Sequence, residues 1–264
     1  MLLLVAAALP ALLGNQPAPA DCVTLSAPKV NFRPNVARAT SSPWVDSNAW
    51  RFIRNPEGKF CIDAPGRLSA LAAAEAFAYG VAAFIRSGPD GAAPFHSMLE
   101  FLRELPPADL PPLANIGFVD DGSAQSGELM NLLSRRNLLY QVEKKQDPRL
   151  DVNVTHVEAG DPSKQAYEIR RQLGDDKRLL RIYGTEVVIG RLTGSDGHAR
   201  LHLVNYSQRP VTGIRVRVLG RYRNATPHMF GIPDAKLTDF SVDGVAAEFT
   251  IVNLNEYAVI DLTN

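Results

Sequence analysis

Residues 200–220 read RLHLVNYSQRPVTGIRVRVLG. Leu201 and Leu203 alternate with His202, and further on Arg215 and Arg217 share one face while Ile214, Val216 and Val218 share the other. A period of two is the pattern of a strand with two different faces. The Asn-Tyr-Ser-Gln-Arg-Pro stretch between them is rich in turn formers. The same period runs outward in both directions. LLRIYGTEVVIGRLTG (179–194), ARLHLVNYS (199–207), PVTGIRVRVLGRY (210–222), AKLTDFSVDG (235–244), AAEFTIVN (246–253) and YAVIDL (257–262) are strand-like runs. GSDG, SQRP, VDG and NLNE separate them, and no helical pattern follows Gly174. Short strands with frequent turns and no helices predict an all-β sandwich or barrel over residues 177–264.

Upstream the period lengthens. LSALAAAEAFAYGVAAFIR (68–86) is Ala-rich, with Leu71, Phe77, Val81, Phe84 and Ile85 at helical spacing, so one helix is predicted there. Gly88-Pro89 ends it, and PFHSMLEFLREL gives a second helix over about 94–104. Next come a strand (114–121), a helix (123–137), two strands (138–144 and 150–157) and a helix with Asp161 as cap and Gly174 as stop. Strand–helix–strand at this spacing predicts an α/β unit with a small parallel sheet over residues 67–176. Residues 21–66 read as an extended arm followed by two short strands, about 49–54 and 59–63, around the NPEG turn.

The chain has 264 residues with 28 basic and 28 acidic side chains, so its formal charge is zero. That balance argues against an electrostatically driven nucleic-acid binder. Glycine and proline number 19 each, too few for a disordered or collagen-like chain. MLLLVAAALPALL followed by the small residues of APA reads as a signal peptide, residues 1–20, cut before Asp21. Export to the periplasm or outside the cell is the expectation. No second long apolar run occurs, so no membrane span is expected in the mature chain. Cys22 and Cys61 are the two cysteines. After export they either form the one available intramolecular disulfide or stay as thiols.

Two stretches carry a family resemblance. ANIGFVDDGSAQSGELMNLLSRRNLLYQV (114–142) and residues 200–220 resemble the back end of multidomain glycoside hydrolases. There a non-catalytic, class I glutamine-amidotransferase-like α/β domain precedes a C-terminal β-sandwich. The likeness covers about 140 of the 264 residues. It implies a carbohydrate context. Neither cysteine sits in a strand–turn–helix elbow of the kind an amidotransferase nucleophile needs. The chain is also too short to hold a (β/α)₈ barrel beside a sandwich.

Candidate site residues fall in four groups. Trp44, Asn48, Trp50 and Arg51 crowd with Asp46 into eight residues; they suit a sugar site, or the tryptophans anchor the arm. Asp46, Asp63 and Glu75 are the candidate catalytic carboxylates, since glycoside hydrolysis needs a carboxyl pair about 5–10 Å apart. Glu75, set among alanines, is placed for a raised pKa; otherwise it is paired or solvated, and Asp63 caps a turn. Asp120 and Asp121 follow a buried strand at a sheet mouth, where ligands bind or where acids cap the next helix. Arg215, Arg217, Arg221 and Arg223 form a basic stripe, either solvated and countered by neighbouring strands or a surface for an acidic partner. The five histidines are scattered, no Cys/His cluster exists, and neither metal nor cofactor is expected.

The leading expectation is an exported, non-catalytic accessory protein that binds carbohydrate or supports assembly. A compact or truncated glycoside hydrolase using the carboxylates is the first alternative. A structural module forming a homo-oligomer is the second.

Overall fold

The computed structural model describes residues 13–14, 19–31, 43–158 and 160–264. Most of the leader (1–20) and part of the arm (32–42) therefore lie outside the described residues.

The N-terminal portion comprises β1 (Leu13–Gly14), β2 (Val23–Ser26), β3 (Lys29–Asn31), β4 (Trp44–Asp46), α1 (Ala49–Arg54), β5 (Lys59–Asp63), α2 (Leu68–Tyr79), β6 (Ala82–Arg86) and α3 (Gly88–Glu104). β1, β6, β5 and β2 form a parallel sheet in that order, and β3 pairs antiparallel with β4. Cys22, just before β2, is disulfide-bonded to Cys61 of β5, with 5.8 Å between the Cα atoms.

Three expectations are corrected in this portion. α3 starts at Gly88, not near residue 94, with Pro89 in its first turn, where a missing N–H costs no helical bond. Residues 49–54 are helix, not strand. Helical spacing lets Ala49 and Phe52 enter the N-terminal core while Trp50 and Ile53 pack on the middle one. Alternation would have put Trp50 and Phe52 on the same side. The helix expected over 68–86 stops at Tyr79. Gly80 takes φ +68° there. Its N–H reaches the Phe77 carbonyl at 3.0 Å, and the Val81 N–H reaches Ala76 at 3.1 Å. That paired closure ends helices at glycine, and AAFIR continues as a strand.

The middle portion contains β7 (Ile116–Val119), α4 (Ala124–Arg135), β8 (Tyr140–Glu143), β9 (Val152–Val154) and α5 (Pro162–Leu173). Its parallel sheet runs β8-β7-β9, separate from the first one. The α/β region is thus built on two small parallel sheets.

The C-terminal portion is a sandwich of β10 (Leu180–Tyr183), β11 (Val188–Ser195), β12 (His198–Asn205), β13 (Val211–Leu219), β14 (Asn224–Met229), β15 (Leu237–Asp243), β16 (Ala246–Leu254) and β17 (Tyr257–Thr263). One antiparallel sheet runs β10-β13-β16-β15 and the other β11-β12-β17-β14. The run 179–194 divides into two strands in different sheets. β14 was not expected. Pro227 lies within it, which is tolerated because β14 is an edge strand, bonded to β17 alone in its sheet. Arg215 and Arg217 are countered by Glu248 on the neighbouring β16, at 2.9 and 3.7 Å.

The chain crosses from one sheet to the other after β12, and Asn205 organises the crossing. Its buried Nδ2 donates to the carbonyls of Arg209, Leu254 and Asn255 at 2.7, 3.2 and 2.8 Å. Its Oδ1 accepts from the Ser207 backbone N–H and hydroxyl at 3.0 and 2.8 Å. The β11–β12–β17–β14 sheet is covered on both sides. Leu201, Leu203, Ile260 and Leu262 fill the sandwich core. Val204, Tyr206, Tyr257 and Val259 face the other way and join the core built around α2.

Asn205→Ala should cost about 2–4 kcal/mol, because it strips buried carbonyls of their donor. Urea unfolding measures this; a change below about 0.5 kcal/mol would show that the crossing does not depend on Asn205.

Candidate ligand-binding cleft

The structure does not bring Asp46, Asp63 and Glu75 together. Asp63, at the end of β5, is exposed and forms a two-pronged ion pair with Arg86 of β6, directly opposite in register. Asp46 is half-buried and lines a cavity of about 170 Å³ with Asn48 and Arg51. Glu75 has no solvent-accessible surface. Its Oε1 accepts from the Asn48 backbone N–H at 2.7 Å and from the Tyr206 hydroxyl at 2.8 Å. Its Oε2 is buried without a hydrogen-bond partner among the described residues. Burial therefore pushes the Glu75 carboxyl up to about 7, although its two donors pull the other way. A carboxyl sealed between α2 and the sandwich is a tie between the two portions. It offers no surface to a glycosidic oxygen.

The remaining candidates separate as well. Asn48 spends its side-chain amide on the Ser26 carbonyl at 3.0 Å. Trp50 lies under the guanidiniums of Arg51 and Arg54, at 4.3 and 5.1 Å, and against Gly127 of α4. A β-carbon at Gly127 would stand 2.7 Å from the indole, so glycine allows this close approach. Asp120 is held by Arg54 at 2.8 Å. Asp121 accepts from the Ser123 N–H at 2.9 Å and from the Ser126 hydroxyl at the start of α4. Those bonds, the Ser126 one foremost, bring its carboxyl down to about 2. Both acids are thus occupied at a helix N-terminus. His202 faces away from Leu201 and Leu203, towards Phe77 of α2. Burial lowers its pKa to about 3, and Nδ1 lies 2.6 Å from the Tyr257 hydroxyl. No three His, Cys, Asp or Glu side chains gather to hold a metal among the described residues.

Trp44 alone of the expected ligand-binding residues lines a large cleft, of about 770 Å³. The cleft runs along the seam between the middle portion and the sandwich. The last turn of α4 supplies Arg135, and Arg136 follows it. α5 supplies Arg170, and the segment entering the sandwich supplies Arg178, Arg181 and Tyr183. These arginines were not singled out from the sequence. They stand far apart along the chain, and nothing local marks them as one site.

Part of this arginine set holds the seam closed. Asp175 accepts from Arg170 at 3.2 Å and Arg178 at 3.4 Å and faces Arg181 at 3.7 Å. The Arg170 hydrogen bonds foremost hold the Asp175 carboxyl below its ordinary value. Arg178 also donates to the Arg136 carbonyl at 2.9 Å, and Arg136 donates to the Ser163 hydroxyl at 3.0 Å. Arg135 differs: no described carboxylate lies within ion-pair distance, and its side chain has no hydrogen bond among the described residues.

The sequence matches no family model and no curated protein. Its fold is similar to that of alpha-L-fucosidase isoenzyme 2 from Paenibacillus thiaminolyticus, with a TM-score of 0.56 and 8% identity. The match covers 79% of this chain and 61% of the fucosidase. The alpha-amylase from H. orenii (TM-score 0.21, 11% identity, 82% of this chain and 56% of that one) is too distant to carry an argument. So is Eubacterium rectale Amy13B (TM-score 0.18, 12% identity, 77% and 52%). The fucosidase likeness shows a shared α/β-plus-sandwich architecture.

Glu75 binds its proton more tightly when folded than at its ordinary value of 4.5. The associated stability is fully present below about pH 4.5 and is lost as the pH rises through about 7, on the order of 3 kcal/mol in all. Glu75→Gln keeps the oxygen that Tyr206 and Asn48 need and does not titrate. Urea midpoints taken from pH 4.5 to 8 should fall in the parent and run flatter in the variant. Equal slopes would place Glu75 outside the titration.

Proposed function

We propose that this chain is an exported, carbohydrate-associated accessory protein that binds a glycan without cleaving it. The observation that carries this reading is the architecture shared with the fucosidase over 79% of the chain. The placement of the carboxylates adds support for a non-catalytic role: Glu75 is sealed, Asp63 is ion-paired and Asp46 lies apart. The 770 Å³ cleft has the size of a ligand pocket and carries aromatic and polar walls. Export is supported by the leader-like residues 1–20 and by the Cys22–Cys61 disulfide, a bond suited to an oxidising compartment. Among the described residues no helix is long and apolar enough to cross a membrane.

One observation favours self-association as a second reading. Phe240, Val242, Val245 and Val252 are exposed on β15, β16 and their connecting turn, and β15 is an edge strand. An open edge with apolar side chains is a template for pairing with another chain.

Affinity electrophoresis of the purified full chain through gels containing a panel of neutral and acidic polysaccharides tests the main reading. Retardation by at least one polysaccharide, with no reducing-sugar release from it, is the expected result. Absence of retardation across the panel would overturn glycan association. Sugar release that disappears in Glu75→Gln would instead install the glycosidase alternative. Light scattering checks the second reading, which requires a mass above that of one chain.

A further inference from the structure

We propose that the arginine-lined cleft selects glycans carrying anionic oxygen groups, uronate carboxylates or sulfate esters, with Arg135 as the principal anion-binding side chain. The glycan part rests on the function proposed above; the anionic part rests on the cleft alone. Guanidinium groups in folded proteins normally spend their N–H donors on carboxylates, carbonyls or water. Here three arginines leave donors unmatched among the described residues. Arg135 is half-buried, and burial weakens its hold on the proton, yet no described carboxylate sits within ion-pair distance. Arg178 is 8% exposed, and its Nε has no hydrogen-bond partner among the described residues. The buried Nε of Arg181 also lacks one among the described residues, and this guanidinium lies over the Tyr183 ring at 4.9 Å. All three residues line the same cavity.

The nearby acids do not offset this surplus. Asp175 is shared among Arg170, Arg178 and Arg181. Asp161 caps α5 by accepting from the Ser163 N–H at 2.8 Å. Glu128 and Glu186 also line the cleft and act on Arg135 through space, beyond contact distance. Their carboxylates are suited to accept from sugar hydroxyls while Arg135 takes the anionic substituent. The planar guanidinium fork matches a carboxylate or sulfate with two parallel hydrogen bonds, which an ammonium does not reproduce. Trp44 and Tyr183 add aromatic surface to the walls.

Titration calorimetry on the full chain with three probes of similar length tests this: an oligogalacturonate, a sulfated oligosaccharide and a neutral cello-oligosaccharide. At least one anionic probe should bind tenfold or more tightly than the neutral one, and the two anionic arms show which group is read. Arg135→Ala should weaken that binding about tenfold, Arg135→Glu should weaken it further, and Arg135→Lys should recover only part. The Arg135 side chain makes no bond among the described residues, so unchanged urea midpoints are expected for Arg135→Ala and Arg135→Lys, and at most a small decrease for Arg135→Glu, whose charge opposes the C-terminal end of α4. Neutral and anionic probes bound equally, or anionic binding indifferent to Arg135→Glu, would overturn the anion assignment while leaving carbohydrate association standing. Binding of no oligosaccharide would overturn both.

Discussion

The sheet β11–β12–β17–β14 is buried on both faces, and this double burial is the constraint on which the rest of the molecule depends. An antiparallel sheet in a sandwich commonly keeps one face in water. Here α2 covers the second face. It can do so because half of its twelve residues are alanine, which brings its backbone close to the sheet and to α3 without leaving a wide polar stripe. The sandwich is thereby joined to the N-terminal parallel sheet through a shared core. Glu75 is the acidic residue that α2 carries into that core. Its two donors come from opposite sides, Asn48 from the start of α1 and Tyr206 from the end of β12.

This packing determines where chemistry can occur. Burial shifts the proton affinities of Glu75 and His202, and both lie sealed inside the fold where no substrate reaches them. Displaced pKa values often mark functional sites, but structural networks also displace them. The accessible polar concavity lies at the other seam, where α4, α5 and the entry to β10 meet. Its arginines differ in their contacts. Arg170 and Arg178 close the seam through Asp175, while the Arg135 guanidinium has no partner among the described residues.

The fold was largely legible in the sequence and the site was not. Alternation such as Ile214-Arg215-Val216-Arg217-Val218 is local, and it located the sandwich strands. β14 escaped because a proline in an edge strand resembles a loop. Residues 49–54 misled because a six-residue helix serving two cores has no clear period. Gly80 was the available sign that the alanine helix ended early. Glu75's neighbours are 27 and 131 positions away. The arginines of the cleft come from three separate segments. Such groupings arise from tertiary packing and have no counterpart in local spacing, whereas a tryptophan-rich segment does. Of that segment, Trp44 reaches the cleft and Trp50 is consumed in holding α4.

Differential scanning calorimetry of the full chain is the most direct test of the doubly buried sheet. One shared core through α2 should give a single cooperative transition, with calorimetric and van't Hoff enthalpies equal. Two resolved transitions, one for the α/β portion and one for the sandwich, would contradict it.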